Sequence, residues 1–184
     1  MRKLLSMIAA GLVCVASPVS AQESQAESWG LLGEQALRFE GKVTDLLCAI
    51  TGNCPADCGA GKRQLGLLRD DGSLVVVGKN VQAAFNGGVP DMLPFCGQRV
   101  EVDGLMVGEG ATKLYQVQLV RPAGSDAVFE KTTRWTDVWA ASHPDLAATG
   151  DPWFRKDPRV LSRIKAEGYL GLGLEVDRKF IAEW

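Results

Sequence analysis

The chain has 184 residues, 46% of them hydrophobic, with 20 Lys and Arg against 22 Asp and Glu and a formal net charge of −2. This slightly acidic balance argues against nucleic acid or an anionic membrane as the main partner, because both select a basic footprint. The length allows one domain, or a compact domain with an appendage.

The N-terminus opens with Arg2 and Lys3 and continues as an apolar run from Leu4 to Val15. Pro18 and the small-residue series Val19-Ser20-Ala21 follow, the pattern that signal peptidase accepts. The run is shorter than the ~20 residues that span a bilayer, so residues 1–21 read as a cleavable signal peptide rather than an anchor. Cys14 follows Val13, too large a residue for a lipidation site. Cutting after Ala21 removes two of the 20 basic residues and none of the 22 acidic ones, which leaves a net charge near −4. The mature protein is expected in the periplasm or outside the cell, with no membrane span.

Residues 22–36 are polar with a few apolar positions (Trp29, Leu31, Leu32) and read as a lead-in, partly helical or disordered. Over residues 37–122, short alternating or β-branched runs recur at Phe39–Leu47, Arg63–Arg69, Leu74–Gly78, Arg99–Val107 and Lys113–Val120. Turn signals at Asp70-Asp71-Gly72, Gly87-Gly88 and Gly108-Glu109-Gly110 separate them. In the fourth run Val100, Val102 and the Leu105/Val107 pair are apolar while Glu101 and Asp103 point the other way. The fifth repeats this with Leu114, Val117 and Leu119 against Gln116 and Gln118. Asn80–Asn86 and Asp91–Phe95 read as short helical turns between the third and fourth strands. The expected fold is mainly β, a small five-stranded OB-fold-like barrel.

Beyond Pro122 the composition shifts. Ala123-Gly124-Ser125-Asp126 is a turn or linker, and residues 123–184 form a helical, Trp-rich extension with four of the five tryptophans. Trp135, Val138 and Trp139 fall at i, i+3, i+4, which predicts an aromatic helix face. A second helix is punctuated by Asp157 as cap, Pro158 at its first position and Gly168 at its end, with Val160, Leu161 and Ile164 on one side.

Four cysteines survive processing: Cys48, Cys54, Cys58 and Cys96. An even number in an exported chain signals disulfides, and three connectivities are possible. Cys48, at the end of one strand, or Cys96, ahead of another, is the favoured partner for the 54–58 loop. The alternative is a copper or zinc site made by Cys48, Cys54 and Cys58, whose thiolates would suit either metal. Against it, no C-x2-C spacing is present and the one histidine, His143, is far away. The absence of C-x-x-C at a helix start also argues against a thioredoxin-like redox centre.

Three other motifs carry bland readings. Gly59-Ala60-Gly61-Lys62-Arg63 fails as a phosphate loop, since Ala56 stands where the first glycine belongs and Arg63 where Ser or Thr belongs. His143 sits beside Ser142 and before Pro144 with no third orienting group. Asp70 and Asp71 occupy a turn, where they favour chain reversal. The sequence thus offers no catalytic set and calls for no cofactor outside the metal alternative.

The segment around 39–105 resembles a group of small exported bacterial OB-fold-like proteins of uncharacterised role. The shared features are Gly41-Lys42-Val43-Thr44-Asp45 followed by Cys48, Cys54-Pro55-Ala56-Asp57-Cys58, Gly66-Leu67-Leu68, Asp71-Gly72, and Leu93-Pro94-Phe95 ahead of Val100-Glu101-Val102-Asp103-Gly104. Relatives of that group often carry His before the C-x3-C pair, where this chain has Asn53. The resemblance implies the fold and is silent on activity. The expected role is a non-enzymatic binding or accessory subunit that docks on another envelope protein. Trp135, Trp139, Trp153 and Trp184 are the candidates for packing or docking.

Overall fold

The computed structural model describes residues 23–30, 32–79, 88–108 and 113–183. The signal-peptide segment, the Asn80–Asn86 turn and Trp184 lie outside the described residues. The first strand, β1 (Gln35–Asp45), begins before the run predicted at Phe39, because β4 (Arg99–Val107) pairs with it out to Gln35↔Met106. Along β1, Phe39, Gly41, Val43 and Asp45 are buried while Glu40 and Lys42 are exposed, the period-two pattern of a half-buried strand. The strand stops two residues short of Leu47: the Asp45 carboxylate accepts from the Cys48 N–H at 2.6 Å and caps α1 (Leu46–Thr51).

The chain returns as β2 (Leu65–Leu68) and β3 (Leu74–Gly78), then α2 (Val89–Met92) runs into a 3-10 turn over Leu93–Phe95 ahead of β4. β5 (Leu114–Pro122) follows, and the turn at residues 123–126 leads to a two-residue strand that sequence periodicity did not show, β6 (Glu130–Lys131). The result is a mainly antiparallel six-stranded sheet in the order β3-β2-β1-β4-β5-β6, with a further parallel pairing of β3 to β5 that links the strands into a ring.

Inside the ring lie Phe39, Val43, Leu65, Leu67, Val77, Val100, Val102, Met106, Tyr115, Val117 and Val120, joined by Val89, Met92 and Phe95 from the helical insert. Full burial of side chains of this size stabilises by about 1.5–3 kcal/mol each. Tyr115 packs edge-on against Phe39 and donates its hydroxyl to Leu37 O at 2.7 Å, so its polar end is satisfied.

The inward face of β4 and β5 differs from the alternation expected of them. Register shifts between Asp103 and Gly104, where a bulge lets Tyr115 and Val117 face inward and Val120 face inward too, three positions further on. Met106 rather than the Leu105/Val107 pair completes the core of β4, and Leu105, though buried, stands apart from that cluster.

Among the described residues of the lead-in none is helical. Residues 23–30 run as a strap over the outer face of β4 and β5. Ser24 Oγ donates to Asp103 Oδ1 at 2.5 Å and Gln25 N to Asp103 Oδ2 at 2.7 Å. Further along, the Gln118 amide exchanges two bonds with the Glu27 backbone at 2.8 and 2.7 Å. Arg38 completes the Asp103 site at 3.1 Å. Arg38 and Arg121 stack on the Phe129 ring, which ties the segment before β6 to the same face.

The tail holds α3 (Arg134–Ser142), α4 (Pro144–Ala147), a 3-10 turn at Trp153–Arg155, α5 (Pro158–Glu167) and α6 (Leu174–Ala182). α5 has the predicted punctuation, with Asp157 accepting from Arg159 N and Val160 N, Pro158 at the start and Gly168 as C-cap.

Candidate docking surface and cysteine loop

The four cysteines close two disulfides, Cys48–Cys54 and Cys58–Cys96. Of the three connectivities open to the sequence, this one staples the loop twice. The short bridge ties the loop after α1 back to that helix's first turn, and the long one fastens the loop to the chain entering β4. Cys58 belongs to the core cluster and Cys96 packs against it, so the second bridge is an extension of the hydrophobic interior. Arg63 ties down the rest, donating to Asn53 O at 2.9 Å, to Asn53 Oδ1 at 3.2 Å and to Asp45 Oδ1 at 3.4 Å. Arg63, at the end of the run that fails as a phosphate loop, is therefore a local clasp.

The metal alternative drew Cys48, Cys54 and Cys58 to one ion. Here two of them are bonded to each other and the third to Cys96, and a bridged sulfur offers no thiolate. Among the described residues no group of three or more His, Cys, Asp and Glu side chains is placed to hold a metal.

Three tryptophans of the tail, Trp135, Trp139 and Trp153, come together as an aromatic cluster. Trp135 and Trp153 have ring centroids 4.4 Å apart, and Trp139 lies 6.2 Å from Trp153. Trp139 is 6% exposed and its indole N–H donates to Asp157 Oδ2 at 2.6 Å, which makes it a packing residue rather than a docking one. Val138, expected on the same face, is 71% exposed. His143 stacks on Trp139 at 4.7 Å, and its Nδ1 lies 3.0 Å from Trp139 O and 2.9 Å from Ser142 Oγ. Ser142 Oγ itself donates to Trp139 O. These contacts close the end of α3 and do not build a nucleophile.

The feature that sequence reasoning missed is the loop between α5 and α6. Asp177, buried on α6, accepts from Leu170 N at 2.7 Å and Leu172 N at 3.1 Å. The loop wraps this carboxylate so closely that a Cβ on Gly168, whose φ is +91°, would lie 2.0 Å from Asp177 Oδ2. With its backbone N–H groups turned inward, the loop presents its side chains to water: Tyr169 is 73% exposed and Leu172 58%. Leu161 on α5, Leu170 in the loop, and Leu174, Val176 and Ile181 on α6 are exposed as well. A groove of about 600 Å³ continues from this loop past Val160 and Ile164 to Trp135 and Trp153, flanked by Arg159 and Arg163. Two of the four predicted docking tryptophans thus line a groove contiguous with the exposed apolar loop. The signal available in the sequence was Gly168-Tyr169-Leu170-Gly171-Leu172-Gly173, a glycine-spaced apolar run.

No protein-family model matches the chain, and no curated protein or solved structure matches it. Among the described residues no helix is long and apolar enough to cross a membrane.

Proposed function

We propose that this chain is an exported, non-enzymatic accessory subunit with an OB-fold-like ring. Its α5–α6 hairpin docks on another envelope protein. The observation that carries the reading is the exposed apolar set on a loop folded around the Asp177 carboxylate, which accepts two of its backbone N–H groups. Exposed apolar surface beside a groove marks interaction sites, and a preformed loop lowers the ordering cost of binding. The ring of pairings with a helical insert ahead of β4 supports the OB-fold part. The two disulfides support an oxidising compartment, in keeping with the N-terminal signal pattern.

The test is site-specific photocrosslinking of the full mature chain in living cells. A photoreactive residue at Leu172 should give one discrete adduct with an envelope protein, and the same group at Lys42, an exposed position of β1, should not. Tyr169→Ser with Leu172→Asp should remove the adduct. Equal crosslinking from both positions, or an adduct indifferent to the charged variant, would sink the docking role.

A further inference from the structure

A second concavity lies between the strap, β5, β6 and the start of α3. Its volume is about 360 Å³, at the small end of ligand pockets, which run roughly 300–1,000 Å³. Gln25, Glu27 and Trp29 of the strap form one wall; Lys131, Thr132, Thr133 and Thr136 form the other, with Gln118 and Lys79 between.

The polar groups of this cleft divide into two sets. One set holds the fold. Lys79 Nζ donates to Val117 O at 3.1 Å and to the carbonyl and hydroxyl oxygens of Thr132, pinning β6 to β3. Burial pushes the Lys79 amine down to about 8, with Asp91 opposing the shift, and the three oxygens it touches also favour its charged form. Gln118 is engaged with the strap, Thr136 Oγ1 donates to Thr133 O, and Thr133 Oγ1 donates to Asp137. The other set has no protein partner among the described residues: the side chains of Gln25, Glu27 and Lys131 and the indole N–H of Trp29.

An amide, a carboxylate, an ammonium and an indole around one small cleft can exchange many directed hydrogen bonds while an aromatic face takes an apolar one. The charges of Glu27 and Lys131 cancel, so nothing in the uncommitted set draws an ion of one sign. A molecule with hydroxyls around its rim and C–H groups on its face meets both demands. We infer that the cleft beneath the strap binds a neutral sugar of one or two rings, stacked on Trp29 and hydrogen-bonded by Gln25, Glu27 and Lys131. The site is separate from the hairpin and does not depend on the docking role.

The test is a titration of the ¹⁵N-labelled mature chain with N-acetylglucosamine, its β-1,4-linked disaccharide and maltose, with glycine betaine as a zwitterion of similar size. The expected result is saturable movement, with at least one sugar at tens of millimolar, of the Trp29 indole signal and the amides of residues 25–29 and 131–136. Hairpin signals stay still. Trp29→Ala should weaken that binding by about tenfold, and Glu27→Gln and Lys131→Met, both at exposed positions that leave the fold alone, by several-fold. No saturable shift with any sugar overturns the inference. So does a response to betaine alone, or binding that is indifferent to both Glu27→Gln and Lys131→Met.

Discussion

The indole N–H of Trp139 and the Oδ2 of Asp157 meet at 2.6 Å, joining the C-terminal half of α3 to the first turn of α5. The same carboxylate accepts from Arg159 N at 2.8 Å and from the Arg159 guanidinium at 3.1 Å. One buried aspartate therefore caps a helix and docks it.

The Arg159 side chain first, then Trp139 and the backbone N–H groups of Arg159 and Val160, hold the Asp157 carboxyl well below the usual range, against desolvation. A lowered folded value means that its contribution is complete above the unfolded value, about 3.9, and is lost as pH falls toward the folded one. Tryptophan fluorescence should therefore report loosening of the tail only below about pH 4. Asp157→Asn should loosen it at neutral pH and abolish that acid dependence. Asp157→Ala should cost about 2 kcal/mol of tail stability, read from hydrogen exchange of α5 amides, since it deletes charged hydrogen bonds and a cap. An acid transition unchanged in Asp157→Asn would refute the assignment.

The two bridges close loops of very different length, 6 and 38 residues apart in sequence. On the chain-entropy account the shorter contributes about 2 kcal/mol and the longer about 4 kcal/mol. The paired Ser variants at 58 and 96 should lower the guanidinium midpoint clearly more than those at 48 and 54, because that bridge also fills core volume beside Phe95 and Met92. Intact mass on protein kept free of reductant should be lighter than the reduced form by four hydrogens, with no alkylatable thiol. Full alkylation with bound copper or zinc would restore the metal reading of Cys48, Cys54 and Cys58.

What could be read in advance followed from local physics. The cap of α5 at Asp157, its stop at Gly168 and the fourth run at Arg99–Val107 depend on short-range chemistry, and the structure has them in place. What could not be read depends on what covers a face. Alternation placed Asp103 on the outer face correctly, yet that face is roofed by the strap and Asp103 is wholly buried. Nothing in the sequence around Asp177 marks it for burial; the glycine loop that folds over it does that. Met106 faces inward in place of Leu105 because β4 keeps its period-two alternation from Val100 and Val102, whereas on β5 the register shift skips Gln118 and turns Val120 inward, which leaves no two-residue pattern behind. The tryptophans were visible as a group, but only tertiary packing separates buried Trp139 from groove-lining Trp135 and Trp153.

The bulge makes a sharp prediction at Gly104. A Cβ there would lie 2.2 Å from Gln116 O, a backbone atom that cannot swing aside. Gly104→Ala should destabilise the ring by several kcal/mol, beyond the ~1–3 kcal/mol of ordinary overpacking. A thermal midpoint within error of the parent would show that β4 and β5 do not approach as closely as described.

Asp103 tests whether the strap belongs to the fold. Its two oxygens receive Ser24 Oγ, Gln25 N and the Arg38 side chain, and the ion pair with Arg38 at 3.1 Å is buried on both sides. Removing one partner of such a pair leaves an uncompensated charge and costs about 3–5 kcal/mol. Asp103→Ala should lose that amount by chemical denaturation and free residues 23–30 to rapid proteolysis. Replacing Asp103 and Arg38 together with Leu and Met should recover much of the ring's stability, because no orphan charge then remains. The strap should stay released in that double variant, since Ser24 and Gln25 still lack their acceptor. A double variant with a protected strap would mean that Gln118 and Glu27 hold it alone.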